Sequence, residues 1–193
     1  LHAAVFQRDL AIFERLLGAC DAATKCQGSP LPHVIVAVGA LPENEAFAQA
    51  ALAMVAKLDE GPELLADAVD EYGRTALRLA CELNSPQAII HALLDAVDTF
   101  VMSKANEADA AELALSLPAA DASMSLHDRL RAHLIGRQDA VTKLSALHAA
   151  AAAAPSAFAT EALTELLARC SAPQVLELKD HLGRTALHVA AMR

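Results

Sequence analysis

Two well-separated stretches of this chain are near copies of each other. They are Asp70-Glu71-Tyr72-Gly73-Arg74-Thr75-Ala76-Leu77-Arg78-Leu79-Ala80 and Asp180-His181-Leu182-Gly183-Arg184-Thr185-Ala186-Leu187-His188-Val189-Ala190. Both read D-x-x-G-R-T-A-L-x-φ-A. Each encodes a polar turn with glycine at the bend and a threonine that can accept from the first free N–H groups of a helix. Apolar residues at helical spacing follow. Gly73 and Gly183 are therefore expected at positive φ, where the chain reverses into the helix. Shorter echoes stand at Leu1-His2-Ala3-Ala4 and Ala146-Leu147-His148-Ala149-Ala150, so the chain is read as a repeat.

The T-A-L-H-x-A core and the preceding D-x-x-G turn resemble the ankyrin repeat, whose signature is T-P-L-H-x-A. The resemblance implies a mainly α fold: an ankyrin-like α-solenoid of stacked helix-turn-helix units with projecting β-turn fingers. It also implies a module that binds other proteins. Taking Leu1, Pro32, Leu77, Ala111, Leu147 and Leu187 as equivalents gives spacings of 31, 45, 34, 36 and 40 residues, which straddle the family period of about 33. The expected organisation is one array over 1–193, with units at 1–28 (partial), 29–69, 70–104, 105–139, 140–179 and 180–193 (partial). Because the chain opens and closes inside repeat patterns, it reads as a fragment, expected to be monomeric.

Composition agrees with close helix packing. Hydrophobic residues make up 55% of the chain and aromatics 3%, with no Trp, so the core must come from Ala, Leu and Val, and the first two are strong helix formers. Inner helices are expected at 1–6, 31–38, 76–83, 109–115 and 145–154, the second with a strand as its alternative because it is rich in β-branched residues. Outer helices are expected at 10–17, 43–58, 87–96, 126–134 and 160–169, with Ser85 and Ser125 as caps. Pro42, Pro86, Pro118 and Pro155 recur where an inner helix must stop. Short proline-initiated turns are expected at 61–65 and 172–176.

Acidic residues outnumber basic ones by 24 to 15, a formal charge of −9. No basic stripe is present, which argues against nucleic acid and anionic membrane as partners. No stretch reads as a membrane-spanning helix. Cys20, Cys26, Cys81 and Cys170 have neither C-x-x-C nor zinc-finger spacing, so reduced thiols and a cytoplasmic setting are expected. No catalytic motif, cofactor fingerprint or metal-ligand spacing is present, and the chain is not read as an enzyme. The resemblance gives His2, His148 and His188 a structural role, with Arg78 replacing the histidine in one copy.

What remains for function are the positions that the ankyrin pattern places at finger tips and on the exposed side of inner helices: Glu71, Tyr72, Arg74, Glu82, Leu83, His181, Leu182, Arg184 and Met192. Tyr and Arg are enriched among binding hot spots, and the expected ligand is a protein or peptide, with basic residues facing Glu71 and Glu82. Against this, Arg74 and Arg184 could serve only to bond neighbouring fingers. Two other classes stand beside the scaffold reading: a regulatory segment of a larger enzyme or channel, and a structural solenoid spacer.

Overall fold

The computed structural model describes residues 1–23, 28–104, 124–153, 156–170 and 172–192. The Asp109–Leu115 segment, Cys26, Pro118 and Pro155 lie outside them. The described residues are mainly helical, and an isolated antiparallel bridge joins Val69 to Thr75 at the base of one turn.

Helices α1 (His2–Gln7), α3 (Leu31–Gly39) and α6 (Ala76–Glu82) follow one another in a row of direct neighbours. Helices α2 (Leu10–Leu17), α4 (Glu45–Val55) and α7 (Gln87–Lys104) return beside them as a second row. The segment 31–38 is a helix rather than a strand. Leu31, Val34, Ile35 and Val36 are all buried, and a helix enclosed by neighbours needs no polar face. Helix α7 runs on past Ala96 because Val97, Phe100 and Val101 keep its apolar spacing and are buried. Ser85 does not cap it, since its buried Oγ has no hydrogen-bond partner. A 3-10 turn at Pro42–Asn44 leads into α4, so Pro42 does stand at the boundary between the two rows.

Helix α5 (Gly61–Asp67) packs along α7 and runs into the 70–74 turn. Helices α8 (Leu126–Gly136), α9 (Ala146–Ala152), α10 (Ala157–Arg169), α11 (Pro173–Leu176) and α12 (Ala186–Ala191) follow among the described residues. Ser125 caps α8 as its sequence suggests, accepting from Asp128 N at 3.1 Å and donating to Asp128 Oδ2 at 2.6 Å.

The first row passes straight from α6 to α9 and on to α12, whereas the sequence reading set the unit 105–139 between α6 and α9. Helix α8, read there as an outer helix, instead leads into the turn at 139–144, as α5 and α11 lead into theirs. The amphipathic spacing was right, but it does not say which row a helix joins.

The inner row is lined with alanine: Ala76, Ala80, Ala146, Ala149 and Ala150 are buried and let the helices approach closely. Phe13 and Phe47 meet edge to face at 6.4 Å and close the N-terminal end. Among the described residues no helix is long and apolar enough to cross a membrane.

Candidate protein-binding edge

Each turn is built on one aspartate. Asp70 Oδ1 accepts from Tyr72 N at 3.0 Å and Arg74 N at 2.9 Å, while Asp70 Oδ2 takes Arg74 Nε at 2.7 Å. Asp180 does the same with Leu182 N at 2.9 Å, Arg184 N at 2.8 Å and Arg184 Nε at 2.8 Å. Arg74 and Arg184 therefore bond the aspartate of their own turn rather than a neighbouring finger. Gly73 and Gly183 have φ of 77° and 75°, as the motif demands.

A third turn of this kind, which the sequence motif did not reveal, lies at 139–144. Asp139 Oδ1 accepts from Val141 N at 2.8 Å and Thr142 N at 2.6 Å; Oδ2 accepts from Leu144 N at 3.1 Å and from the Thr142 hydroxyl. It is one residue longer than the others. Lys143, with φ of 56°, stands where they have glycine, two residues before the helix cap. Since a side chain at positive φ costs roughly 1 kcal/mol, Lys143→Gly is expected to raise stability by about 0.5–1 kcal/mol. A urea midpoint unchanged or lowered in that variant would contradict this geometry.

The turns are tied side by side through their backbones. Ala140 N donates to Tyr72 O at 3.1 Å, and His181 N donates to Thr142 O at 3.1 Å. Three equivalent side chains, each two residues after its aspartate, consequently stand along one edge: Tyr72, Val141 and Leu182, which are 50%, 69% and 62% exposed. Val141 was absent from the residues singled out by sequence.

Beneath the edge, the third residue of α3, α6 and α9 reaches the next turn. His33 Nε2 donates to Arg74 O at 2.7 Å and His148 Nε2 donates to Arg184 O at 3.1 Å. Because a carbonyl only accepts, Nε2 carries the proton, and His148 Nδ1 is left to accept from the Ser145 hydroxyl at 2.9 Å. His188 makes the matching contact with Thr185 Oγ1 at 2.7 Å. His33 thus belongs to the structural series; it follows Pro32 as Arg78 follows Leu77, and counting from the helix cap would have found it. His2 faces the Ser29 backbone in the same sense, though its Nε2 has no hydrogen bond of normal geometry.

Arg78 makes the equivalent reach by other chemistry. Its Nε donates to Leu144 O at 3.2 Å, its Nη2 pairs with buried Asp139 at 3.1 Å, and its Nη1 donates to Glu82 at 2.9 Å. Arg74 Nη1 also lies 3.5 Å from Glu82. Glu82 is therefore held by two guanidinium groups, which removes it as a free acid for a basic partner.

Of the other residues singled out, Glu71 is exposed beside Gly28, and Tyr72 stacks on Arg74, 4.9 Å from ring centroid to guanidinium. Leu83 is exposed at the end of α6, and exposed His181 sets Nδ1 at 2.9 Å from Thr142 O. Leu182 is at its turn's tip, and Met192 Sδ is 3.9 Å from Arg184 Nη1. These residues form two groups, around Arg74 and around Arg184, with the 139–144 turn between them. Among the described residues no group of three or more His, Cys, Asp or Glu side chains could hold a metal ion. Cys20, Cys81 and Cys170 are free thiols, and burial pushes Cys81 up to about 12.

For the three turn aspartates burial opposes ionisation, but their hydrogen bonds outweigh it. Arg184 and Leu182 hold Asp180 down to about 2; Arg74 and Tyr72 lower Asp70; Thr142, Arg78 and Val141 lower Asp139. With folded-state values below the unfolded one, their contribution is complete above about pH 5 and drains away as pH falls toward 2. Burial also holds His2 and His133 below 6.5, which adds a shallower loss beginning under that pH. The urea midpoint is expected to decline gently from pH 7 to 5 and steeply from 4 to 2. A midpoint constant down to pH 3 would contradict the turn network.

No family model matches this chain, and no curated protein matches it. Among solved structures it is similar to the ankyrin repeat domain of Bcl-3, described as a unique member of the IkappaB protein family. The identity is 21%, over 98% of this chain and 92% of that one, with a TM-score of 0.36. An overlap that loose says nothing of function.

Proposed function

We propose that the chain is a protein-interaction module of ankyrin type, one array over 1–193, that binds a protein or peptide along the edge of its turns and the adjoining exposed side of its inner helices. The observation that supports this reading is the row Tyr72, Val141 and Leu182. Three large side chains are held outward in register by backbone hydrogen bonds between successive turns. A bare turn would accept Ser or Asn at each tip, and a broad apolar contact flanked by Arg is the composition of a binding hot spot. Glu71, Arg74, Glu82, Leu83, His181, Arg184 and Met192 surround the row as its polar and apolar rim. The module works by contact, without chemistry of its own, in a reducing cytoplasm where its free thiols persist.

The test is site-specific photocrosslinking. A photoreactive side chain at Tyr72, Val141 or Leu182 is expected to capture a common partner. The same group at Ile12 or Met102, exposed on α2 and α7 of the second row, is expected to capture none. Capture from Ile12 or Met102 alone would place the binding surface elsewhere.

A further inference from the structure

The two copies of the motif differ at one position in a way that points to the partner. In the first copy, Arg74 uses Nε on Asp70 and turns Nη1 toward the Glu82 carboxylate, seven residues after the helix cap. In the second copy, Arg184 uses Nε and Nη2 on Asp180 and turns Nη1 toward the same position, which Met192 occupies. A thioether at 3.9 Å is a weak acceptor for a guanidinium. The same arginine, in the same turn, has its second carboxylate supplied by Glu82 in one copy and, among the described residues, lacks it in the other.

We propose that Arg184 Nη1 takes a carboxylate from the binding partner, in the place that Glu82 fills beside Arg74. The partner segment at this end of the edge is then acidic. This rests on the edge being the binding surface and adds the charge it selects. The surroundings fit. Gln138 Nε2 bonds the backbone carbonyls of Lys143 and Lys179, which brings both residues to the base of the last turn, and His181 lies on the Thr142 carbonyl beside them. Over 179–192 the bases Lys179 and Arg184 face one acid, Asp180, which is buried under Arg184; over 70–82 three acids face two bases. An arginine already fixed by one carboxylate loses little freedom on accepting a second, so the site is preorganised.

Met192→Glu tests this directly, because it supplies the missing carboxylate from within and changes a residue that is exposed. The probes are three labelled leucine-rich peptides whose polar positions are all Glu, all Gln or all Lys, titrated by fluorescence anisotropy at low salt. The wild-type chain is expected to bind the Glu peptide about tenfold more tightly than the Gln peptide, roughly 1.4 kcal/mol. Met192→Glu is expected to erase that preference, bringing the ratio of the two affinities to about one. The paired change Tyr72→Ala with Leu182→Ala is expected to weaken the Glu and Gln peptides alike. If Met192→Glu keeps the preference while the Tyr72/Leu182 variant weakens binding, the edge stands and the carboxylate assignment falls. If the Tyr72/Leu182 variant binds as wild type does, the edge itself is wrong. Failure of the Glu peptide to bind, or preference for the Lys peptide, overturns the assignment.

Discussion

Asp139→Ala is expected to destabilise the chain by about 3–5 kcal/mol, the cost of removing one member of a buried ion pair. The Asp139 side chain is almost wholly buried and serves two structures at once. It accepts from Val141 N, Thr142 N and Leu144 N, and so shapes the turn. It also neutralises Arg78, which is buried against α9's turn and would keep only the half-exposed Glu82 as its counter-ion. Asp139→Asn retains an acceptor but not the charge, and should fall between alanine and wild type. Asp21 makes the informative comparison, because it accepts from Ala23 N in an exposed turn, and Asp21→Ala should cost under about 1 kcal/mol. Urea denaturation of the three variants decides the matter. An Asp139→Ala loss as small as that of Asp21→Ala would mean that α6 and α9 are not joined through this pair.

Gly61→Ala is expected to cost about 3 kcal/mol, at the upper end for overpacking by a single methyl group. A Cβ at Gly61 would stand 1.9 Å from Val55 O and 3.0 Å from Val55 C. These are backbone atoms at the end of α4, and no rotamer change can move them away. Helix α5 would have to shift, and with it the face it packs along α7. Gly183 separates this effect from backbone conformation. It has φ of 75° and nothing within 4 Å of the added atom, so Gly183→Ala should cost only about 1 kcal/mol. If the two variants unfold at the same urea concentration, the close approach of α5 to α4 is wrong.

Much of the helical plan was legible from the chain because its signals are local. Proline at 42, serine at 125 and the glycines of the two D-x-x-G turns act on their immediate neighbours, and each stands where that local chemistry puts it. What was hidden depends on contacts between distant segments. The apolar spacing of Leu126, Leu130 and Leu134 specifies a helix but not its row, so 105–139 was read as a stacked unit although α6 meets α9 directly. His33 was masked by Pro32 and by the β-branched run after it. Val141 was missed because its turn is a residue longer and has Lys143 in place of glycine. The exposure of Tyr72 and Leu182 could be read from the turn pattern. That Arg74 and Arg184 are bound to Asp70 and Asp180, and that Glu82 is shared between two arginines, could not, since the motif gives spacing and not side-chain direction.

Everything claimed for the edge requires Tyr72, Val141 and Leu182 to be successive neighbours. Spin labels placed on cysteines in pairs at those positions, with Cys20 and Cys26 replaced by serine, report the order directly through dipolar broadening. Packed helices lie roughly 8–10 Å apart, so one step along the row gives strong broadening and two steps give little. The 72/141 and 141/182 pairs are expected to broaden equally, and the 72/182 pair much less. A 72/141 pair as weakly coupled as 72/182 would put another unit between the first two turns and contradict the account.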